Sequence, residues 1–361
     1  MFSRIFLSIA ILFSFSACKL GFEENENPKD KSEYSGPSEG AWWLLSFSGD
    51  TNGYDLKKYS SASSSIVVYT VSGQFERLDN GFVRFNVSTS TDNAGIGEFI
   101  GGIELGENAF VLYPFESGAD ELIPLVEKAD CPSSDINGTG LFMENTADAS
   151  STSVRWVGPF LYSISGKTAN LTKGFALDDA FTKSDAENIN SATCSDGISL
   201  NTGGDHFFAS DSAIVEVGKN GNNYRRLFSL PSRILNAINS ADGNYAGLLK
   251  DFGSPSDETY ALAECTNGAC EIYKINGIEG SKGNSSYTLR FNQELNHDDV
   301  PGLITGTLTD NQTTPIGQAG NVLCSVNSAL SNGNSSKQLL HCNAQSPTTN
   351  SSLLNMIFIE Q

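Results

Sequence analysis

Apolar and polar positions alternate with a period of two at Val83-Arg84-Phe85-Asn86-Val87 and again at Tyr287-Thr288-Leu289-Arg290-Phe291-Asn292. Successive side chains of an extended chain leave opposite faces, so each run predicts a strand with one face buried. Between the strand-like runs stand Asn52-Gly53, Asn80-Gly81, Asn137-Gly138, Asn220-Gly221, Asp242-Gly243, Asn267-Gly268 and Asn332-Gly333. These dipeptides supply the positive φ of a tight turn, and antiparallel hairpins follow. Helical spacing is sparse. Only 177–188 and 230–238 have the pattern for two or three turns each.

The expected fold class is therefore all-β, an antiparallel meander. Runs at 245–250, 260–265, 270–275 and 287–291 form one set of four, and 303–308, 322–326, 337–342 and 353–359 form another, offset by roughly 60 residues. A degenerate earlier copy covers 99–105, 110–115 and 122–129, where Ile100-Gly101-Gly102-Ile103 resembles Ile304-Thr305-Gly306-Thr307. Four-stranded units in series are the building pattern of a β-propeller. The alternative is two β-barrel or β-sandwich domains with a division near 184–204. Gly40-Ala41-Trp42, at the head of the first expected strand, resembles the G-x-W of lipocalin-like barrels.

Composition fits this picture. The chain has 361 residues, and Ser, Asn and Gly fill about a third of it, while charged residues make up 18%. That is a turn-rich mixture with fewer charges than the globular norm of about a quarter. With Lys+Arg 22 against Asp+Glu 42 the net charge is −20. Nucleic-acid phosphates and anionic membrane surfaces both need clustered cations, so neither is an expected main partner. Arg225-Arg226 and Lys57-Lys58 are local exceptions.

The N-terminus reads as an address. Residues 1–4 carry one positive charge, 5–15 form an apolar run broken by Ser8 and Ser14, and Ser16-Ala17-Cys18 closes it with small side chains. These are the n, h and c parts of a secretory signal over 1–17. The apolar run is about half the roughly 20 residues a membrane-spanning helix needs. Phe15-Ser16-Ala17-Cys18 resembles a bacterial lipobox, with Phe15 where the family usually has Leu. The resemblance implies a diacylglycerol thioether on Cys18, cleavage before it, and a palmitate-bearing N-terminus. Lys19 in place of Asp implies sorting to the cell outer membrane, on either face of it. Residues 18–39 are rich in Glu, Asn, Pro, Ser and Gly and are expected to be a flexible tether about 25 Å in reach. The all-β body is then 40–361. Gly36-Pro37-Ser38-Glu39-Gly40 matches G-x-S-x-G formally but lacks the strand before and helix after it that a nucleophile elbow requires.

Setting Cys18 aside leaves Cys131, Cys194, Cys265, Cys270, Cys324 and Cys342, an even number suited to an oxidising compartment. Cys265 and Cys270 flank the Asn267-Gly268 turn, and Cys324 and Cys342 lie on two strand-like runs joined by a loop containing Asn332-Gly333. Cys131 with Cys194 remains by elimination. No C-x-x-C occurs, and no metal site is expected from the cysteines.

Catalytic signals are thin. His206, His297 and His341 are the three histidines, and none has a serine nucleophile tied to it by spacing. Glu294, Asn296, His297, Asp298 and Asp299 form one polar cluster, and Asp50, Asn52 and Asp55 another; either offers oxygens to Ca²⁺, without the closing glutamate of an EF-hand loop. No further cofactor is expected. Carboxylates are plentiful enough for glycoside hydrolysis, but nothing selects a pair. The reading is an envelope lipoprotein with a non-enzymatic binding or structural role toward a protein or glycan; the alternative is an envelope hydrolase using paired carboxylates.

Overall fold

The computed structural model describes residues 33–361 apart from the connecting segments 39–40, 50, 61–64, 106–108, 114–122, 129–135, 146–151, 166–167, 177–186, 196–197, 201–205, 210–213, 221–222, 231–234, 252–256, 297–299, 313–316, 330–336 and 349–351; the strands between 136 and 230 are described as backbone alone. Among the described residues the chain forms three closed antiparallel barrels of eight strands each.

The first barrel contains β1 (Glu33–Ser38), β2 (Ala41–Ser48), β3 (Gly53–Tyr59), β4 (Val67–Arg77), β5 (Phe82–Ser90), β6 (Phe99–Glu104), β7 (Ala109–Tyr113) and β8 (Ile123–Glu127). The middle barrel contains β9 (Ile136–Asn145), β10 (Thr152–Ser165), β11 (Thr168–Ala176), β12 (Glu187–Ser195), β13 (Ile198–Leu200), β14 (His206–Ala209), β15 (Ile214–Asn220) and β16 (Asn223–Leu230). The third contains β17 (Gly243–Asp251), β18 (Asp257–Thr266), β19 (Ala269–Ile275), β20 (Tyr287–Leu295), β21 (Leu303–Asp310), β22 (Gly317–Ala329), β23 (Lys337–Gln345) and β24 (Ser352–Glu360).

Each sheet closes because its first and last strands pair: Tyr34↔Glu127 in the first barrel, Tyr224↔Asn145 in the middle one and Tyr245↔Glu360 in the third. Closure leaves no strand edge to solvent, and eight strands give an interior just wide enough for side chains to fill. In the first barrel Tyr34, Phe47, Phe75, Phe85 and Phe110 fill it. Tyr34 meets Phe110 edge-on at 4.8 Å, and Phe47 meets Phe75 at 4.7 Å. Such pairs contribute about 0.5–1.5 kcal/mol beyond their area burial. Outside stand Asn86, Ser88 and Thr89, all exposed.

The third barrel holds Tyr245, Leu249, Ile272, Leu289, Leu308, Met356 and Phe358. One of its ends is closed by Leu235 and Ala241, the latter at the end of a single 3-10 turn (Ile238–Ala241). Tyr245 Oη donates to Ala241 O at 2.8 Å and fixes that plug. Asn296 holds its other end: its Oδ1 accepts from Leu235 N and Gly302 N, each at 3.0 Å, and its Nδ2 donates to Leu235 O at 2.9 Å.

Four expectations are corrected. The architecture is not a propeller: the two sets of four runs are β17–β20 and β21–β24, the halves of one closed barrel, because β24 returns to pair with β17. A division near 184–204 falls inside the middle barrel, on β12 and β13; the barrels instead part between Glu127 and Ile136 and between Leu230 and Gly243. The expected tether contributes β1, since Tyr34 faces the interior and the backbone of Glu33–Ser38 pairs with β2 from Glu33↔Ser46 to Ser38↔Ala41. Of the expected helices, Leu230 ends β16, a 3-10 turn begins at Ile238, and 187–188 begin β12, while 177–186 and 231–234 lie outside the described residues.

The first and third barrels also pack wall to wall. Trp42, Leu44, Phe82, Ile103 and Val111 point out of the first barrel and meet Leu248, Tyr260, Ile278, Leu339, Ile357 and Ile359 of the third. Arg84 joins Glu76 of its own barrel and Glu279 of the other, and Asn80 Nδ2 donates to Ile278 O at 2.8 Å. The middle barrel sets β14 and β15 beside β1 and β8, and β9 beside β22 and β23.

Candidate functional site

Strand direction gives the first barrel two poles. Glu33, where the described chain begins, lies level with the β2–β3 turn at Ser48 and Gly53; the other pole carries the ends of β3 and β5 and the starts of β4 and β6. At this second pole β4 outruns its neighbour. The β4–β5 register begins only at Val71↔Ser90, and Thr91 N donates to Thr70 O at 3.0 Å just beyond it. The register with β3 shifts by one residue between Tyr59↔Val67 and Lys58↔Tyr69, which leaves Val68 as a bulge.

The result is an exposed apolar tip. Ile66 is 67% exposed, Val67 42% and Val68 49%, and Ile96 in the β5–β6 loop is 49% exposed. These are the large hydrophobic side chains most open to solvent among the described residues. No polar signal marks them, and Ile66-Val67-Val68 reads as an ordinary buried run. What would have found them is the Ser-rich stretch 60–65 immediately before.

The opposite pole carries a groove of about 330 Å³ on the outer wall. Ser46, Asp55 and Ser72 stand in one row across β2, β3 and β4, with Ser48 and Ser88 beside them. A bulge between Ser72 and Gly73 opens the wall, and a Cβ on Gly73 would lie 1.8 Å from Asn86 O. The groove is lined by hydroxyls and the Asp55 carboxylate, and Glu33 stands next in the row, its Oε1 accepting from Ser46 Oγ at 3.5 Å.

The cysteines are structural. Cys265–Cys270 and Cys324–Cys342 are both disulfides, at sequence separations of 5 and 18, and all four sulfurs belong to the third barrel's core. The first closes over Asn267 and Gly268, both at positive φ. Asp242 holds that turn by accepting from Asn267 N at 2.8 Å. Cys324 and Cys342 face each other across β22 and β23. Cys18 and Cys131 lie outside the described residues, and Cys194 is placed only as backbone in β12.

Among the described residues no group of three His, Cys, Asp or Glu side chains gathers. The Asn296 amide is committed to the plug at Leu235, while His297, Asp298, Asp299 and Asp50 lie outside the described residues. His206 begins β14, and its side chain is not described. His341 is buried on the outer side of β23, 2% exposed, directly across from Ser325. Its Nε2 lies 3.2 Å from Asn355 Nδ2. Burial pushes the imidazole down to about 4, against a smaller upward pull from the Asn355 contact. His341 Nδ1 and Ser325 Oγ have no hydrogen-bond partner among the described residues. This row of Ser, His and Asn is sealed from solvent and lacks the serine–histidine bond of a nucleophilic relay. In the formal G-x-S-x-G segment, Gly36 is explained by crowding, since a Cβ there would lie 1.9 Å from Pro124 O of β8.

Among the described residues no helix is long and apolar enough to cross a membrane. No protein-family model matches the sequence, and no curated protein matches it. Among solved structures, the isotype 1 transferrin binding protein B from serogroup B Neisseria meningitidis is 9% identical, with a TM-score of 0.28 over 89% of this chain and 65% of that one. This chain thus spans less than two thirds of its length. A DNA polymerase III subunit beta sliding clamp from Bartonella birtlesii is 8% identical, with a TM-score of 0.12 over 92% of each chain.

Proposed function

We propose that this protein is a lipid-anchored cell-envelope binding protein, held at the outer membrane through Cys18, which engages a protein partner at the apolar pole of its first barrel. The observation that carries this reading is the exposure of Ile66, Val67, Val68 and Ile96 at the pole opposite Glu33. Keeping branched apolar side chains in water has a cost of about 1.5–3 kcal/mol each relative to full burial. Exposed apolar surface, as at the consecutive Ile66, Val67 and Val68, marks an interaction site where it forms a patch. An anchor attached ahead of Glu33 joins the barrel at the opposite pole, which favours a protein over a lipid surface for this one. The interiors of the first and third barrels are filled with side chains, so recognition by these two falls to the outside of the walls and the poles.

A photo-crosslinking side chain placed at Val68, in cells producing the full chain, tests the reading. A discrete protein adduct at Val68 and at Ile96, absent when the same group is placed at Ser72, supports it. Adducts of equal yield at all three positions, or none at Val68, overturn it.

A further inference from the structure

We infer that the groove across β2, β3 and β4 is a binding site for a neutral sugar residue of a glycan. It lies at the opposite pole from Val68, so this inference stands apart from the protein-partner reading. The chemistry of the lining carries it. Ser46, Ser48, Ser72 and Ser88 offer hydroxyls that both donate and accept, and Asp55 offers two acceptor oxygens, all around about 330 Å³ of open groove. The side chains of Phe47 and Tyr54 turn into the barrel core, so the floor beneath is strand backbone at Phe47, Gly53, Tyr54 and Gly73. Gly53 shares the outward face of Asp55, and with no side chain there a flat ring can approach the sheet closely.

A polyol matches this lining better than the other small ligands. An apolar ligand would strand a ring of hydroxyls, which carries the penalty of unpaired polar groups. A hard cation needs several oxygen ligands with more than one formal charge among them, and no group of three Asp, Glu, His or Cys side chains gathers here among the described residues. An anionic sugar, sulfated, phosphorylated or uronic, meets Asp55 and a chain of net charge −20. Neutral vicinal hydroxyls can donate to Asp55 and exchange hydrogen bonds with the serines on either side. Existing contacts leave this possible: Ser46 Oγ donates to Glu33 Oε1 at 3.5 Å, Ser48 Oγ lies 3.2 Å from Thr51 Oγ1, and the Ser72 hydroxyl meets that of Thr89, which uses one of several bonding positions on each serine.

Saturation-transfer NMR on the full chain in detergent, with maltotriose, cellotriose and chitotriose as neutral probes and heparin as the anionic one, decides the matter. The expected result is transfer to at least one neutral trisaccharide and none to heparin. Asp55→Asn should weaken that signal by roughly 10-fold, the loss of a hydrogen bond to a charged acceptor. Ser72→Val should weaken it as well, whereas Val68→Ser leaves it unchanged. Transfer to none of the neutral probes overturns the inference, as does binding that survives Asp55→Asn and Ser72→Val with both variants folded by circular dichroism. Loss of crosslinking at Val68 with sugar binding intact would sink only the protein-partner reading.

Discussion

Tyr260 of the third barrel lies over Gly101 of the first: a Cβ built on Gly101 would fall 1.7 Å from the Tyr260 hydroxyl oxygen. The ring also meets Phe82 edge-on at 5.3 Å and Tyr113 at 5.5 Å, so it is wedged between β5 and β7 over the bare backbone of β6. Burial raises the phenol's pKa, and the nearby Tyr113 adds to the effect. Gly101→Ala should therefore force the walls apart and destabilise the protein by about 1–3 kcal/mol, as overpacking does. Tyr260→Ala removes the ring, whose Cζ and Cε1 would also lie 2.4 and 2.5 Å from that Cβ. In a double-mutant cycle read by urea unfolding, Gly101→Ala should lose less stability in the Tyr260→Ala background than alone. Strict additivity would show that the two residues do not touch.

The two described disulfides should differ in what they contribute. Loop-closure entropy grows with the span bridged, so Cys324–Cys342, at a separation of 18, should stabilise by about 1 kcal/mol more than Cys265–Cys270, at 5. Paired Ala substitutions, compared by denaturant midpoint, test the order. Peptide mapping without reductant should recover both pairs, and a mixed pair such as Cys270 with Cys324 would contradict the fold.

His341 makes the protein acid-sensitive. Its imidazole is held at about 4 by burial, against 6.5 in the unfolded chain, so between these values the unfolded state binds the extra proton. Stability from this residue is full above about pH 6.5 and falls as pH drops toward 4, by about 3 kcal/mol in all. His341→Gln should flatten that part of the stability curve. An unchanged slope between pH 6.5 and 4 would assign the acid sensitivity to other groups.

Cys18→Ser should release the protein from the membrane fraction and leave the leader uncleaved or cleaved elsewhere. Intact-mass measurement of the mature wild-type protein should show acyl chains on an N-terminal cysteine. A soluble wild type beginning beyond residue 18 would remove the anchor from the picture.

Some of this molecule can be read from its letters. Val83, Phe85 and Val87 are buried in the first barrel between outward Arg84 and Asn86, as their alternation requires, and Asn267-Gly268 sits at the turn its positive φ demands. Barrel closure is harder to read. It depends on Tyr34↔Glu127, and Tyr34 is one inward apolar residue in a segment of Ser, Gly, Pro and Glu whose average composition is that of a tether. The backbone bonds that recruit β1 have no compositional mark. The wall-to-wall contact did leave a trace. Trp42-Trp43-Leu44-Leu45 and Met356-Ile357-Phe358-Ile359 are continuous apolar runs where a half-buried strand alternates, and each buries one set of side chains in its own barrel and the other against the neighbour. The groove was invisible because Ser46, Asp55 and Ser72 are drawn together only by register.

The position of β1 also decides how the molecule would carry a pull. A tension drawn through the chain at Glu33 and resisted at the Val67 pole runs along the strands of the first barrel, from one pole to the other. The rungs between β1 and β2, from Glu33↔Ser46 to Ser38↔Ala41, are then loaded together in shear, so they must yield as a group. Resistance at the Glu33 pole would instead open the same rungs one after another, at far lower force. A tethered protein that grips its partner at the far pole is braced along its strongest direction.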